Sequence, residues 1–281
     1  MIRSARERRT LVKNLDPESL DLFARKGREG GPDVPQAGAA NAVKVRRVMQ
    51  VTADLAGAPF EELEILDLGC GEGVYAIEAA LHGATVRAID VRHERLDQGR
   101  AVAERHGLDR LTFEVADLRR IDPAAATYDV VFALGILYHF DAPEVFDVLA
   151  RLRGLARRFV VIDTFLTTQP TVALDHAGWT YDAERVREHE DDDPPDVRRA
   201  RLLRSIDSTH AVRFTHRSLV DALAHAGFTS AGECFVPFEP GKPDDRRTFV
   251  AFAGQPMTLA TYPWINGMTD AELAGRLDRD A

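Results

Sequence analysis

The stretch Asp67-Leu68-Gly69-Cys70-Gly71-Glu72-Gly73 decides how this chain folds. It follows the apolar run Ile65-Leu66 and precedes Val74 to His82, so its three alternating glycines fall where an expected strand turns into an expected helix. Glycine in such a turn adopts backbone angles that a Cβ disfavours, and it lets a ligand lie against the main chain. A dinucleotide fingerprint, Gly-x-Gly-x-x-Gly, needs a third glycine where this chain has Val74, which disfavours NAD.

The alternation of apolar run and amphipathic segment continues outward. Residues 65–69, 85–90, 111–116, 128–134 and 159–163 are rich in β-branched and aromatic side chains and read as five strands of a parallel sheet. Val74 to His82 ends at Gly83 and Arg92 to His106 ends at Gly107, which places a glycine at each expected helix C-cap. Asp141 offers an N-cap acid with Glu144 three residues on, and Val145, Val148, Leu149 and Leu152 then repeat at helical spacing. A further helix follows Thr215, with Leu219, Ala222, Leu223 and Ala226 on one face and Gly227-Phe228 closing it. Glu233 to Phe238 and Thr248 to Ala253 complete the set as a hairpin. The expected fold is therefore α/β: a mostly parallel seven-stranded sheet with a C-terminal antiparallel hairpin and flanking helices.

Three segments fall outside that pattern. The expected organisation is an N-terminal helical lid or arm (1–60) broken by the glycine- and proline-rich 27–38, a core (61–164), an inserted cover (165–212), a helix and hairpin completing the core (213–253), and a tail (254–281). Within the cover, the acidic run Glu188 to Asp193 reads as a solvated loop or an ion-pair partner for Arg198, Arg199 and Arg201.

The chain is 45% hydrophobic and 29% charged, the balance of an ordinary globular protein, and no apolar run approaches the roughly 20 residues that cross a bilayer. The charged N-terminus has no apolar segment after it, so the expectation is a cytoplasmic protein with no membrane partner. Cys70 and Cys234 stand 164 residues apart with no Cys-x-x-Cys, which argues against a disulfide framework or a metal site. A net charge of −9 opposes broad attraction to nucleic acid.

With its acid-x-Gly-x-Gly-x-Gly motif at 67–73, the sequence resembles the class I S-adenosylmethionine (SAM) dependent methyltransferases, a Rossmann-like family, over residues 60–253. The resemblance implies SAM as cofactor and a set of contacts to it. Asp67, Gly69, Cys70 and Gly71 would form the loop, with Asp67 orienting it and Cys70 contributing backbone. Asp90, 17 residues after Gly73, would accept from the ribose hydroxyls, with Val91 beside it. Ala116, Asp117 and Leu118 would meet the adenine, and the strand ending at Leu134 would run beside the methionine part.

The loop Gly135-Ile136-Leu137-Tyr138-His139 lies at the sheet edge where open α/β folds bind substrate. Its Leu-Tyr-His element is similar to one in the tRNA wobble-uridine carboxymethyl-transfer family. His139 is the candidate general base, or else a residue that caps the next helix or lines the pocket. Tyr138, Asp163, His176, Trp179, Tyr181 and His210 are candidate contacts to the acceptor. The function expected is methyl transfer to an O or N nucleophile of a small organic molecule. Two alternatives stand beside it: an RNA methyltransferase, motivated by that loop and the N-terminal arginines, and a SAM-binding regulator without catalysis.

Overall fold

The computed structural model describes residues 37–201, 203–234 and 245–254. Strands β1 (Glu64–Leu68), β2 (Thr85–Asp90), β3 (Leu111–Val115), β4 (Tyr128–Leu134) and β5 (Ala156–Phe165) pair in parallel, and the seven-stranded sheet runs β3-β2-β1-β4-β5-β10-β9. The last two, β9 (Ser230–Glu233) and β10 (Arg246–Phe252), pair antiparallel with each other, and β10 runs antiparallel to β5. The first hairpin strand thus starts earlier than the expected 233. It starts directly after the helix that Gly227 closes, and Phe252 pairs with Ser230. Residues 235–238 lie outside those described.

Both faces of the central strands are covered, which is why they read as unbroken apolar runs. Val130 and Phe132 of β4 point to one face and Val131 and Ala133 to the other, as the two-residue period of a strand requires. The first face is covered by α1 (Ala37–Leu55), α2 (Val74–Leu81) and α3 (His93–Arg105), through Met49, Ile77 and Val102 among others. The opposite face carries α4 (Glu144–Leu155), whose Val145, Val148, Leu149 and Leu152 are all buried at the spacing read from the sequence. Its start differs from expectation. The cap position is Pro143, while the Asp141 carboxylate accepts from its neighbour Ala142 N–H and pairs with Arg185.

Between β5 and the later helix lies a second sheet, β6 (Val172–His176), β7 (Trp179–Arg187) and β8 (His210–Phe214), all antiparallel, with the short helix α5 (Pro195–Ala200) between β7 and β8. Tyr181, Ala183, Val212 and Phe214 bury their side chains in the same core cluster as α4 and as α6 (His216–His225). Thr215 caps α6 by accepting from Ser218 N–H at 3.2 Å. The inserted segment is thereby fixed onto the α4 side of the sheet, and the connection between β7 and β8 leans over the C-terminal strand ends. Residues 1–36 of the expected N-terminal arm and the tail from 255 lie outside the described residues.

Candidate active site

β1 ends at Leu68 and α2 begins after Gly73, so the glycine loop turns at the C-terminal edge of the sheet. Gly69 has φ +61, and a Cβ there would lie 2.4 Å from Ile136 Cγ2. Gly71 has φ +59, and its backbone N–H donates to Asp90 Oδ2 at 2.9 Å. The atoms facing its missing Cβ are those of the Arg95 guanidinium, 2.6 Å away, which is paired with Glu72. What glycine accommodates at 71 is this side chain. The space that the sequence assigned to ligand approach is filled there by protein.

Asp90 closes β2 with a buried carboxylate whose oxygens accept from Gly71 N–H and from Arg92 N–H, both at 2.9 Å. Each oxygen keeps lone-pair capacity beyond that one bond. Asp117 follows β3, accepts from Arg119 N–H at 2.9 Å and holds the Arg119 guanidinium at 2.7 Å. Burial works to raise its carboxyl, and Arg119 prevails and holds it below the usual carboxylate range. Asp67 is fully buried: burial pushes its carboxyl up to about 8 against a backbone hydrogen bond from Ala76, and its Oδ2 has no hydrogen-bond partner. The Cys70 thiol is pushed well up by burial, which leaves no thiolate for chemistry.

A cleft opens between this edge and the inserted segment. Of the expected cofactor contacts, Gly69, Asp90, Val91, Ala116, Asp117 and Leu118 line it. Asp67, Cys70, Gly71 and Leu134 do not. His139, on the one-turn helix after β4, also lines it, as does Ile136. Its roof is Arg204, Ser205, Ile206 and Asp207, none of which the sequence singled out.

Two core arginines fasten that roof. Arg92 donates to the carbonyls of Arg199, Arg201 and Arg204 at 3.0–3.4 Å, and Arg119 reaches Asp207 at 2.8 Å. Glu188 departs from the expected solvated loop. It is buried, and its Oε2 meets His139 Nδ1 at 3.1 Å while accepting from Ser205 N–H at 2.6 Å. Burial would raise the Glu188 carboxyl, but the bonds from His139 and Ser205 hold it below its ordinary range. The rest of the run fits the expectation better: Glu190 to Asp192 are exposed and Asp193 pairs with Arg201.

The expected acceptor contacts disperse. Asp163 is buried between Arg246 and Thr248, with the Thr248 hydroxyl donating at 3.1 Å, and Arg246 in turn lies over the Tyr138 ring at 5.6 Å. Tyr138, whose phenol burial shifts upward, packs edge-on to Phe165 and beside His139. His176 stacks on Phe146, Trp179 stacks on His225, and the Tyr181 hydroxyl meets His225 Nδ1 at 2.7 Å. His210 bonds its neighbour Thr209. These last four residues hold the second sheet in place and do not line the cleft.

Residues 65–158 match the family described as "Methyltransferase domain". Over those residues the chain carries a methyltransferase domain. It is similar to the ubiquinone biosynthesis O-methyltransferase of Methylocella silvestris, at 34% identity over 45% of this chain and 54% of that protein. It is likewise similar to the 27-O-demethylrifamycin SV methyltransferase of Amycolatopsis mediterranei, at 34% identity over 44% of each chain. The chain spans about half the length of the curated relatives it matches. Among solved structures, the N-terminal domain of EvdMO1, determined with S-adenosylhomocysteine (SAH) and D-fucose, superposes with a TM-score of 0.58 at 22% identity over 76% of this chain and 82% of that one.

The cofactor of this domain class is SAM, and the residues of the cleft fit it. Asp90 and Asp117 present acceptors along one wall, and Ile89, Leu118 and Ile136 supply apolar surface.

Proposed function

We propose that the protein transfers a methyl group to a hydroxyl oxygen of a small organic molecule. One observation carries this reading: His139 opens onto the same cleft as Gly69, Asp90 and Asp117, so a proton acceptor and the wall we assign to the cofactor share one cleft. Bound SAM supplies an activated methyl group on its sulfonium. Asp90 would receive the ribose hydroxyls and Asp117 the adenine amine, with Arg119 keeping the Asp117 carboxylate ionised and aimed. His139 takes the hydroxyl proton on Nε2, the ring nitrogen that has no partner among the described residues. Roof residues 204–207 exclude water and limit the acceptor's size. Two of the similar curated proteins are named as O-methyltransferases, of ubiquinone biosynthesis and of magnesium-protoporphyrin, and a third as a 27-O-demethylrifamycin SV methyltransferase, which supports oxygen over nitrogen and a small molecule over RNA.

The test is transfer of labelled methyl from SAM to a panel of phenols, sugar alcohols, carboxylic acids, amines and bulk tRNA. Labelled phenol or alcohol ethers are the expected products. Label on amines or tRNA alone contradicts the proposal, and tight SAM binding with no product across the panel favours a regulator.

A further inference from the structure

We propose that Glu188 is a positioning residue for His139, delivered by the inserted segment, so that the base is complete only when the cover is seated. The proposal rests on the reading of His139 as the proton acceptor and extends it to a second residue, 49 positions away.

Glu188 directly follows β7, and its backbone N–H donates to Thr209 O at 2.8 Å, one step beyond the last β7–β8 pair, Arg187 with His210. The carboxylate is therefore held at the end of a paired ladder. Its Oε2 contacts two groups, Ser205 N–H and His139 Nδ1. An amide N–H can only donate, so Oε2 is already an acceptor. A buried carboxylate is tolerated where donors surround it. The imidazole nitrogen facing it must then carry hydrogen, which leaves the lone pair on Nε2, the nitrogen required to receive a proton. When Nε2 is protonated the ring becomes a cation with Glu188 against it, as a carboxylate does behind other catalytic imidazoles.

The same atoms bind the roof. Ser205 donates its N–H to Glu188, and its carbonyl accepts from His189 Nε2 at 2.7 Å. His189 is itself fixed by Arg201, whose Nη1 lies 3.2 Å from Nδ1. Residues 188 and 189 thus grip Ser205 from both sides. The orientation of the imidazole and the placement of the cleft's roof depend on one contact set, so displacing the cover also frees the imidazole. Asp90 and Gly69, on the opposite wall, take no part in it.

The test is nitrogen-15 NMR of histidine-labelled full-length protein saturated with SAH at alkaline pH, with His139 assigned by the signals lost in His139→Ala. Wild type should show His139 protonated on Nδ1. Glu188→Ala should shift it to the Nε2-protonated form that a free imidazole prefers, and Glu188→Gln, whose amide oxygen still accepts, should restore Nδ1–H. Wild-type His139 protonated on Nε2, or a Glu188→Ala protein that keeps Nδ1–H, overturns the proposal. The wild-type and Gln spectra decide it even if the Ala variant does not fold. Methyl transfer on the first acceptor found should fall about tenfold or more in Glu188→Ala under saturating SAM. If His139→Ala keeps its transfer rate, the base reading fails. The tautomer result still reports whether Glu188 orients the ring, so the two failures are distinct.

Discussion

The core edge at residues 67–119 and the cover at residues 188–207 face each other across one cleft, yet they are built differently. The core edge is assembled from main chain: Gly69 and Gly71 at positive φ, Gly71 N–H and Arg92 N–H on Asp90, and Arg119 N–H on Asp117. The cover is held largely by side chains from distant sequence, Arg92 on three carbonyls, Arg119 on Asp207, and Glu188 on His139. A backbone-built wall is rigid and suits a constant ligand. A wall tied by side chains, most of them in exposed or half-buried pairs, can be exchanged without disturbing the sheet, which suits an acceptor that differs from one relative to the next.

Separating the two walls by mutation gives the largest expected effect. His139→Ala should lower kcat by about 10² to 10⁴ while leaving SAH affinity within about twofold, read by labelled-methyl transfer and calorimetry. An equal loss in both would merge the walls into one unit.

Asp67 tests the rigidity of the core edge through pH. Its carboxyl sits at about 8 in the folded protein and near 3.8 when unfolded, so the folded state holds a proton through that window that the unfolded chain releases. The stability it contributes is complete below about 3.8 and is lost as pH rises through about 8. Urea unfolding across this range should show wild type losing stability relative to Asp67→Asn, with a slope of up to about 1.4 kcal/mol per pH unit. Parallel curves would mean that Asp67 is ionised in the folded state.

Gly69→Val forces a β-branched residue to φ +61 and drives its Cβ into Ile136. Strain of about 1–3 kcal/mol should appear as a lowered Tm and weaker SAH binding. Retained affinity would show that the loop yields where the account has it fixed. The smallest effect belongs to the cover. Asp207→Ala removes an ion pair whose acid is 54% exposed, so stability should change by no more than about 1 kcal/mol, while SAH release measured by stopped flow quickens and loses its salt dependence. A large loss of stability would place the cover within the folding core.

The two walls also differ in how far the sequence exposes them. The turn that carries the glycine loop and the strand-end places of Asp90 and Asp117 are legible in the sequence because the end of a strand constrains residue type over a few neighbouring positions. Glu188 was not: among six residues of an acidic run, only its place at the end of the β7–β8 ladder buries it, and nothing local distinguishes it from Glu190. Arg92 and Arg119 were hidden among many surface arginines for the same reason. Tyr181 and Trp179 looked like acceptor contacts because aromatic residues in an insertion fit either role, and partners on α6, reached only in three dimensions, assign them to packing. The first hairpin strand starts earlier than its own β propensity suggests because antiparallel pairing with β10 begins at Ser230.

The central claim is that the core edge is a SAM site organised by Asp90. Titration of SAH into wild type and Asp90→Ala, each checked for a cooperative melt, measures it. The account predicts saturable binding of one SAH per chain and a loss of about 1–3 kcal/mol in the folded variant, the cost of removing a buried hydrogen-bonding partner. No binding to wild type, or equal affinity in the two proteins, would contradict it.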